Sequence, residues 1–143
     1  MIAAGTQFTE PPDEGSDRFK NRAPGRRALI VEDETLVAWH LEAVLEQLGL
    51  EVCDIVSTGK DAMAAALATN PDIVFMDVNL AGEIDGVEAA KQILEKINVS
   101  IVFVTAYADD EPTIARISLA LGDRIVVGKP ATPAAIQAAL KQL

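Results

Sequence analysis

The stretch "RALIVEDETLVAWHLEAVLEQLGL" (residues 27–50) decides the fold class. Four apolar residues, Ala28-Leu29-Ile30-Val31, run straight into three acids, Glu32-Asp33-Glu34. Leu36, Leu41, Val44, Leu45 and Leu48 then recur at helical spacing, and Gly49 closes the helix. A short strand therefore feeds a helix over roughly 34–48 through a cluster of negative charge. The same unit repeats down the chain. Apolar β-rich runs occur at 28–31, 51–56, 72–77, 100–106 and 124–127. Helix-period segments lie at roughly 34–48, 58–69, 86–97, 111–121 and 132–142. Asn70-Pro71 stops the second helix and Gly122 the fourth. Five alternating β/α pairs predict a three-layer α/β domain with a parallel sheet and right-handed crossovers. Strands three to five are continuously apolar, as strands covered on both faces should be.

Composition narrows the possible functions. The 143 residues suit one domain with a real core, and with only 4% aromatics that core must be aliphatic and alanine-rich. The net charge is −10, and residues 28–143 alone hold 18 acids against 7 bases. Such a surface repels phosphate backbones, so nucleic acid is not an expected partner. Metal ions and basic protein surfaces are. The single cysteine, Cys53, excludes an intrachain disulfide and suits a reducing cytoplasm. No apolar stretch approaches the 18 residues of a membrane helix, so no membrane role is expected. Residues 1–26, rich in Pro, Gly and charge, read as a disordered tail, with a docking peptide around Phe8 and Phe19 as the alternative.

In an open parallel sheet, ligands bind beyond the carboxyl ends of the strands. Glu32-Asp33, Asp77, Thr105 and Lys129-Pro130 fall there, at the ends of strands one, three, four and five. Adjacent carboxylates repel one another, and a hard divalent cation relieves the conflict. Oxygen-only donors, with no Cys or His at hand, suit Mg²⁺ better than zinc. Beside such an ion one carboxylate can attack phosphorus to give an aspartyl phosphate. Lysine and hydroxyl groups would hold the phosphoryl oxygens. Asp77, alone at the end of "DIVFMD", is the expected nucleophile, Asp33 the expected metal ligand and Glu32 its helper. The competing reading makes "EDE" a plain helix cap and Asp77 and Thr105 ordinary strand ends.

With these motifs in order, "VEDE", "FMDVNL", "DG" at 85–86, "VTA" and "GKP", the chain resembles the receiver domain of bacterial two-component response regulators over about residues 27–143. The resemblance implies a flavodoxin-like, doubly wound five-stranded parallel sheet of order 2-1-3-4-5 with helices on both faces. It implies that Glu32 and Asp33 organise Mg²⁺, that Asp77 both ligates the ion and accepts phosphate from a sensor histidine kinase or phosphotransfer protein, and that the Asn79 backbone carbonyl completes the protein ligands. Thr105 would bond a phosphoryl oxygen and move on activation. Lys129 would pair with the phosphate, and Lys129-Pro130 would be cis. A downstream protein would dock on helix four, strand five and helix five.

Several positions depart from the family pattern. Ala81 stands where proline is common, and "NLAGEIDG" is one residue longer than the usual loop. Val126 stands where a switching aromatic commonly sits, and Tyr107 is expected to couple to Thr105 in its place. Ala131 replaces a bulkier residue. His40 is expected to be solvated or half-packed, Cys53 a small buried group, and Trp39 a helix-packing ring. Asp109-Asp110-Glu111 before Pro112 reads as a helix N-terminus. The expected function is a single-domain, cytoplasmic phosphorelay switch that signals by protein contact. It would not be an enzyme beyond self-phosphorylation from small donors and autodephosphorylation. The alternatives are a receiver fragment of a longer regulator, a pseudo-receiver, or a Mg²⁺-dependent phosphohydrolase with an Asp nucleophile. Asn79 argues against the last, since many such hydrolases keep an acid two residues beyond the nucleophile.

Overall fold

The structure is a computed structural model and describes residues 26–143. The expected disordered tail, apart from Arg26, lies outside the described residues. Five strands alternate with five helices: β1 Arg27–Val31, α1 Thr35–Gln47, β2 Glu51–Val56, α2 Gly59–Thr69, β3 Ile73–Met76, α3 Gly86–Lys96, β4 Ser100–Thr105, α4 Glu111–Leu121, β5 Ile125–Gly128 and α5 Pro133–Lys141. All strand pairs are parallel, and the order is β2-β1-β3-β4-β5. The expected doubly wound fold and strand order are both present.

The pleat sorts the core into two layers, because successive side chains leave a strand on opposite faces. Leu29 and Val31 of β1, with Val74 and Met76 of β3 and Phe103 of β4, face α2, α3 and α4. Ala28, Ile30, Phe75, Val102 and Val104 face α1 and α5. Small residues let the helices come close: Ala62, Ala65 and Ala66 of α2 and Ala89 and Ala90 of α3 are all buried. β3 and the apolar residues of β4 are fully buried, as their unbroken runs predict. β5 differs. It forms one edge of the sheet, and Val127 is its sole buried residue. An edge strand has one neighbour, so an apolar run there does not guarantee full cover.

Local signals account for the helix ends. Thr58, Asp85, Asp110 and Thr132 cap α2, α3, α4 and α5 by accepting amide hydrogens of the first turn. Gly49, Asn70 and Gly122 take positive φ just past α1, α2 and α4. The pairing of β1 with β2 slips between Ala28 and Leu29, so Cys53 sits in a bulge. Its thiol is half-buried and donates to the Ala28 carbonyl at 3.2 Å. Among the described residues, no helix is long and apolar enough to cross a membrane.

Candidate functional site

β1 and β3 are neighbours, and this adjacency builds the site. The Asp77 amide donates to Val31 at 3.0 Å, and the Glu32 amide donates to Val56 at 2.9 Å. The ladder thus delivers Glu32-Asp33 and Asp77 to the same rim. One carboxylate oxygen from each of Glu32, Asp33 and Asp77 lies within 4.8 Å of the others. Glu32 and Asp77 are buried, whereas Asp33 is exposed and opens the group to solvent. On the other side of β3, Thr105 ends β4 fully buried, and its carbonyl accepts the Lys129 amide at 3.0 Å. That bond carries Lys129 over the trio. Its Nζ lies 2.7 Å from Glu32 Oε1 and 3.2 Å from Asp77 Oδ2. Lys129-Pro130 is cis, as the resemblance implied.

Backbone amides engage three further carboxylate oxygens. Glu32 Oε2 accepts the Glu34 amide at 3.1 Å. Asp77 Oδ1 accepts the Asn79 amide, and Asp33 Oδ2 the Ala81 amide, both at 3.3 Å. The plain helix-cap reading of "EDE" is therefore not what these acids do. Glu34 takes the N-cap position of α1 without a side-chain cap bond, and Glu32 turns inward to Lys129. Electrostatically the site lacks positive charge. Burial pushes the Glu32 carboxyl above its ordinary value, and the Lys129 hydrogen bond only partly opposes this. Burial likewise raises Asp77, with Lys129 pulling against it and Asp33 adding repulsion. Burial pulls the Lys129 ammonium down, but the two carboxylates outweigh it and hold it above its ordinary value. Three carboxylates thus share one ammonium, and the donors are all hard oxygens. That set fits a divalent cation of the Mg²⁺ kind.

The other sequence candidates fall around this centre. Thr105 Oγ1 accepts the Tyr107 amide at 3.1 Å, so their link runs through backbone. The Tyr107 ring itself is 54% exposed. Trp39 is not the helix-packing ring expected. It is 59% exposed and lines a cavity with Glu32, Asp33, Ser57 and Asp61, residues at and just beyond the ends of β1 and β2. His40 is exposed as expected, but it has a partner: Nε2 donates to the Ala131 carbonyl at 2.9 Å. Ala131 is buried beside a second cavity next to Pro130. Two neighbours of the site carry little sequence signal. Gly86 lies flush against the Asp77 carbonyl, where a Cβ would come within 1.8 Å of the oxygen. Asp85 caps α3 and also pairs with Arg116 of α4. The "DG" dipeptide was visible, but its reasons lie in three dimensions.

An acid trio and one ammonium on the carboxyl rim of a 2-1-3-4-5 parallel sheet define a receiver-type domain. Residues 28–141 match the family described as the response regulator receiver domain, and the chain belongs to that family. It is 33% identical over 115 residues to the phyllosphere-induced regulator PhyR of Methylorubrum extorquens, covering 80% of this chain but 42% of that protein. It is 30% identical over 120 residues to the chemotaxis protein CheY of Thermotoga maritima, covering 83% of this chain and 98% of CheY. Among solved structures, the signal receiver domain of a modulated diguanylate cyclase from Desulfovibrio desulfuricans superposes with a TM-score of 0.73 at 30% identity. The match covers 82% of this chain and 91% of that one.

Proposed function

We propose that this receiver domain is a phosphorelay switch that takes its phosphoryl group on Asp77. One observation carries the reading: Lys129 Nζ bridges Glu32 and Asp77 at 2.7 and 3.2 Å while Asp33 keeps an exposed carboxylate beside them. Glu32, Asp33, Asp77 and the Asn79 carbonyl would hold Mg²⁺, which would supply charge neutralisation for the phosphoryl oxygens. An Asp77 oxygen attacks the phosphorus of a phosphohistidine on a sensor kinase or phosphotransfer protein. A P–O bond forms and the P–N bond breaks. The nitrogen leaves with its electron pair, becoming a neutral imidazole or taking a proton from solvent. Lys129 then pairs with the new dianion, and the Thr105 hydroxyl, already buried at the rim, donates to one of its oxygens. Tyr107 follows Thr105 through their shared hydrogen bond, which shifts a two-state equilibrium on the face formed by α4, β5 and α5. A downstream protein reads that face, without nucleic acid or membrane, in the cytoplasm.

The test is phosphorylation by a small acyl-phosphate donor with Mg²⁺, read by intact mass. One phosphoryl group per chain, absent in Asp77→Asn, is the expected result. Sustained release of phosphate from generic phosphomonoesters would point to a hydrolase instead. A protein that neither binds Mg²⁺ nor gains mass would be a pseudo-receiver, and the reading would fail.

A further inference from the structure

Helix α4 is lightly held. Ile117 is its only buried side chain among the described residues, and Leu119 is 91% exposed. Leu121, at its end, packs half-buried against the same core, and a further attachment in its middle is polar. Arg116 Nη2 pairs with Asp85 Oδ2, across 31 residues of sequence. Asp85 divides its carboxylate between two tasks. Oδ1 accepts the amides of Val87 and Glu88 at 3.0 Å each and so starts α3. Oδ2 faces α4. The next residue, Gly86, lies against the Asp77 carbonyl and donates its amide to Val78 at 2.9 Å. Backbone from Asp77 to Val78, the cap of α3 and the middle of α4 therefore meet at Asp85-Gly86.

We propose that Asp85 and Arg116 form a latch that couples the position of α4 to the backbone carrying Asp77. Both are positioning residues, since neither touches the acid trio. The latch suits this role because it is weak. The pair is half-exposed, with side chains 33% and 48% accessible, so it biases α4 without locking it. Its failure leaves α3 intact as long as the cap atom survives. The role in signalling rests on the switch function proposed above, but the latch itself is testable without phosphate.

The experiment compares amide exchange in metal-free wild type, Arg116→Gln, Asp85→Asn, Asp85→Ala and the double variant Asp85→Asn/Arg116→Gln. Asparagine caps helices about as well as aspartate, so Asp85→Asn removes charge and keeps the cap. Amides of α4 should exchange about 1.4- to 5-fold faster in Arg116→Gln and in Asp85→Asn, the range of an exposed ion pair. The double variant should match the singles rather than multiply them. Amides at the start of α3 should speed up only in Asp85→Ala. High salt should loosen α4 in wild type and have no further effect in the variants, which a purely steric role would not produce. In the donor assay, the rate at which Asp77 gains or loses phosphate should change in both single variants. Unchanged α4 exchange, multiplicative singles, or salt insensitivity in wild type would each overturn the latch. Changed exchange with unchanged phosphoryl kinetics would overturn its coupling to Asp77. If wild type takes no phosphate at all, the switch function fails, and the exchange results still decide whether the latch exists.

Discussion

Replacing Lys129 by methionine removes the one ammonium from a site of three carboxylates while keeping most of the side-chain volume. At an effective dielectric constant of about 20, the attractions across 2.7 and 3.2 Å are worth about 6 and about 5 kcal/mol. Desolvation of the three groups offsets much of that sum, so the pair is not a net gain of this size. What the substitution exposes is the other side of the balance. Glu32 and Asp77 stay buried, now repelling each other and Asp33, and orphaned buried charge costs roughly 3–5 kcal/mol. Domains of this kind are stable by about 5–15 kcal/mol, so Lys129→Met should lose a large share of its folding free energy at neutral pH. The loss should shrink as pH falls and an acid takes up a proton. It should also shrink in saturating Mg²⁺, and in Lys129→Met/Asp77→Asn. Urea unfolding with and without Mg²⁺ measures all of this. A loss under about 1 kcal/mol, indifferent to pH, Mg²⁺ and the second substitution, would refute the reasoning.

Three further outcomes are expected. The folded-state carboxyls of Glu32 and Asp77 lie above 4.5 and 3.8, so the folded state binds protons more tightly than the unfolded chain. Their contribution to metal-free stability therefore grows as pH falls through the folded-state values and is complete below the ordinary ones. Unfolding midpoints across that window should show this slope in wild type and lose it in Glu32→Gln/Asp77→Asn. Gly86→Ala drives a Cβ to 1.8 Å from the Asp77 carbonyl and should cost about 3 kcal/mol or more. Gly82→Ala, at φ +105° in open space, should cost only about 1 kcal/mol, both read by denaturant midpoint. Trp39, the only tryptophan, lines the cavity with Glu32 and Asp33, so Mg²⁺ titration should change its fluorescence in wild type and not in Asp33→Ala.

The site was legible because each of its residues stands at the carboxyl end of an apolar run. Glu32 and Asp33 follow "ALIV", Asp77 follows "IVFM", Thr105 ends "SIVFVT" and Lys129 follows "IVVG". A parallel sheet aligns such ends on one rim whatever the separation in sequence. Strand order came from resemblance, since periodicity alone does not rank parallel strands. Other features depend on relations between elements that no local pattern records. That Trp39 lies beside Glu32 and Asp33 depends on how α1 sits over the ends of the strands. The bulge at Cys53 depends on a register slip between two strands. The partial cover of β5 depends on its place at the edge, and the Asp85–Arg116 pair depends on how α4 lies against α3.

Thr105 stands between the site and the connection that follows β4. Its oxygen takes a hydrogen from the peptide at Tyr107, while among the described residues its own hydrogen has no acceptor. A group that receives from one side and gives to the other acts as a hinge pin. Under the proposed switch, a phosphoryl oxygen that draws the hydroxyl inward would pull the start of the β4–α4 connection after it. Valine at this position would fill the same space and cut the cord.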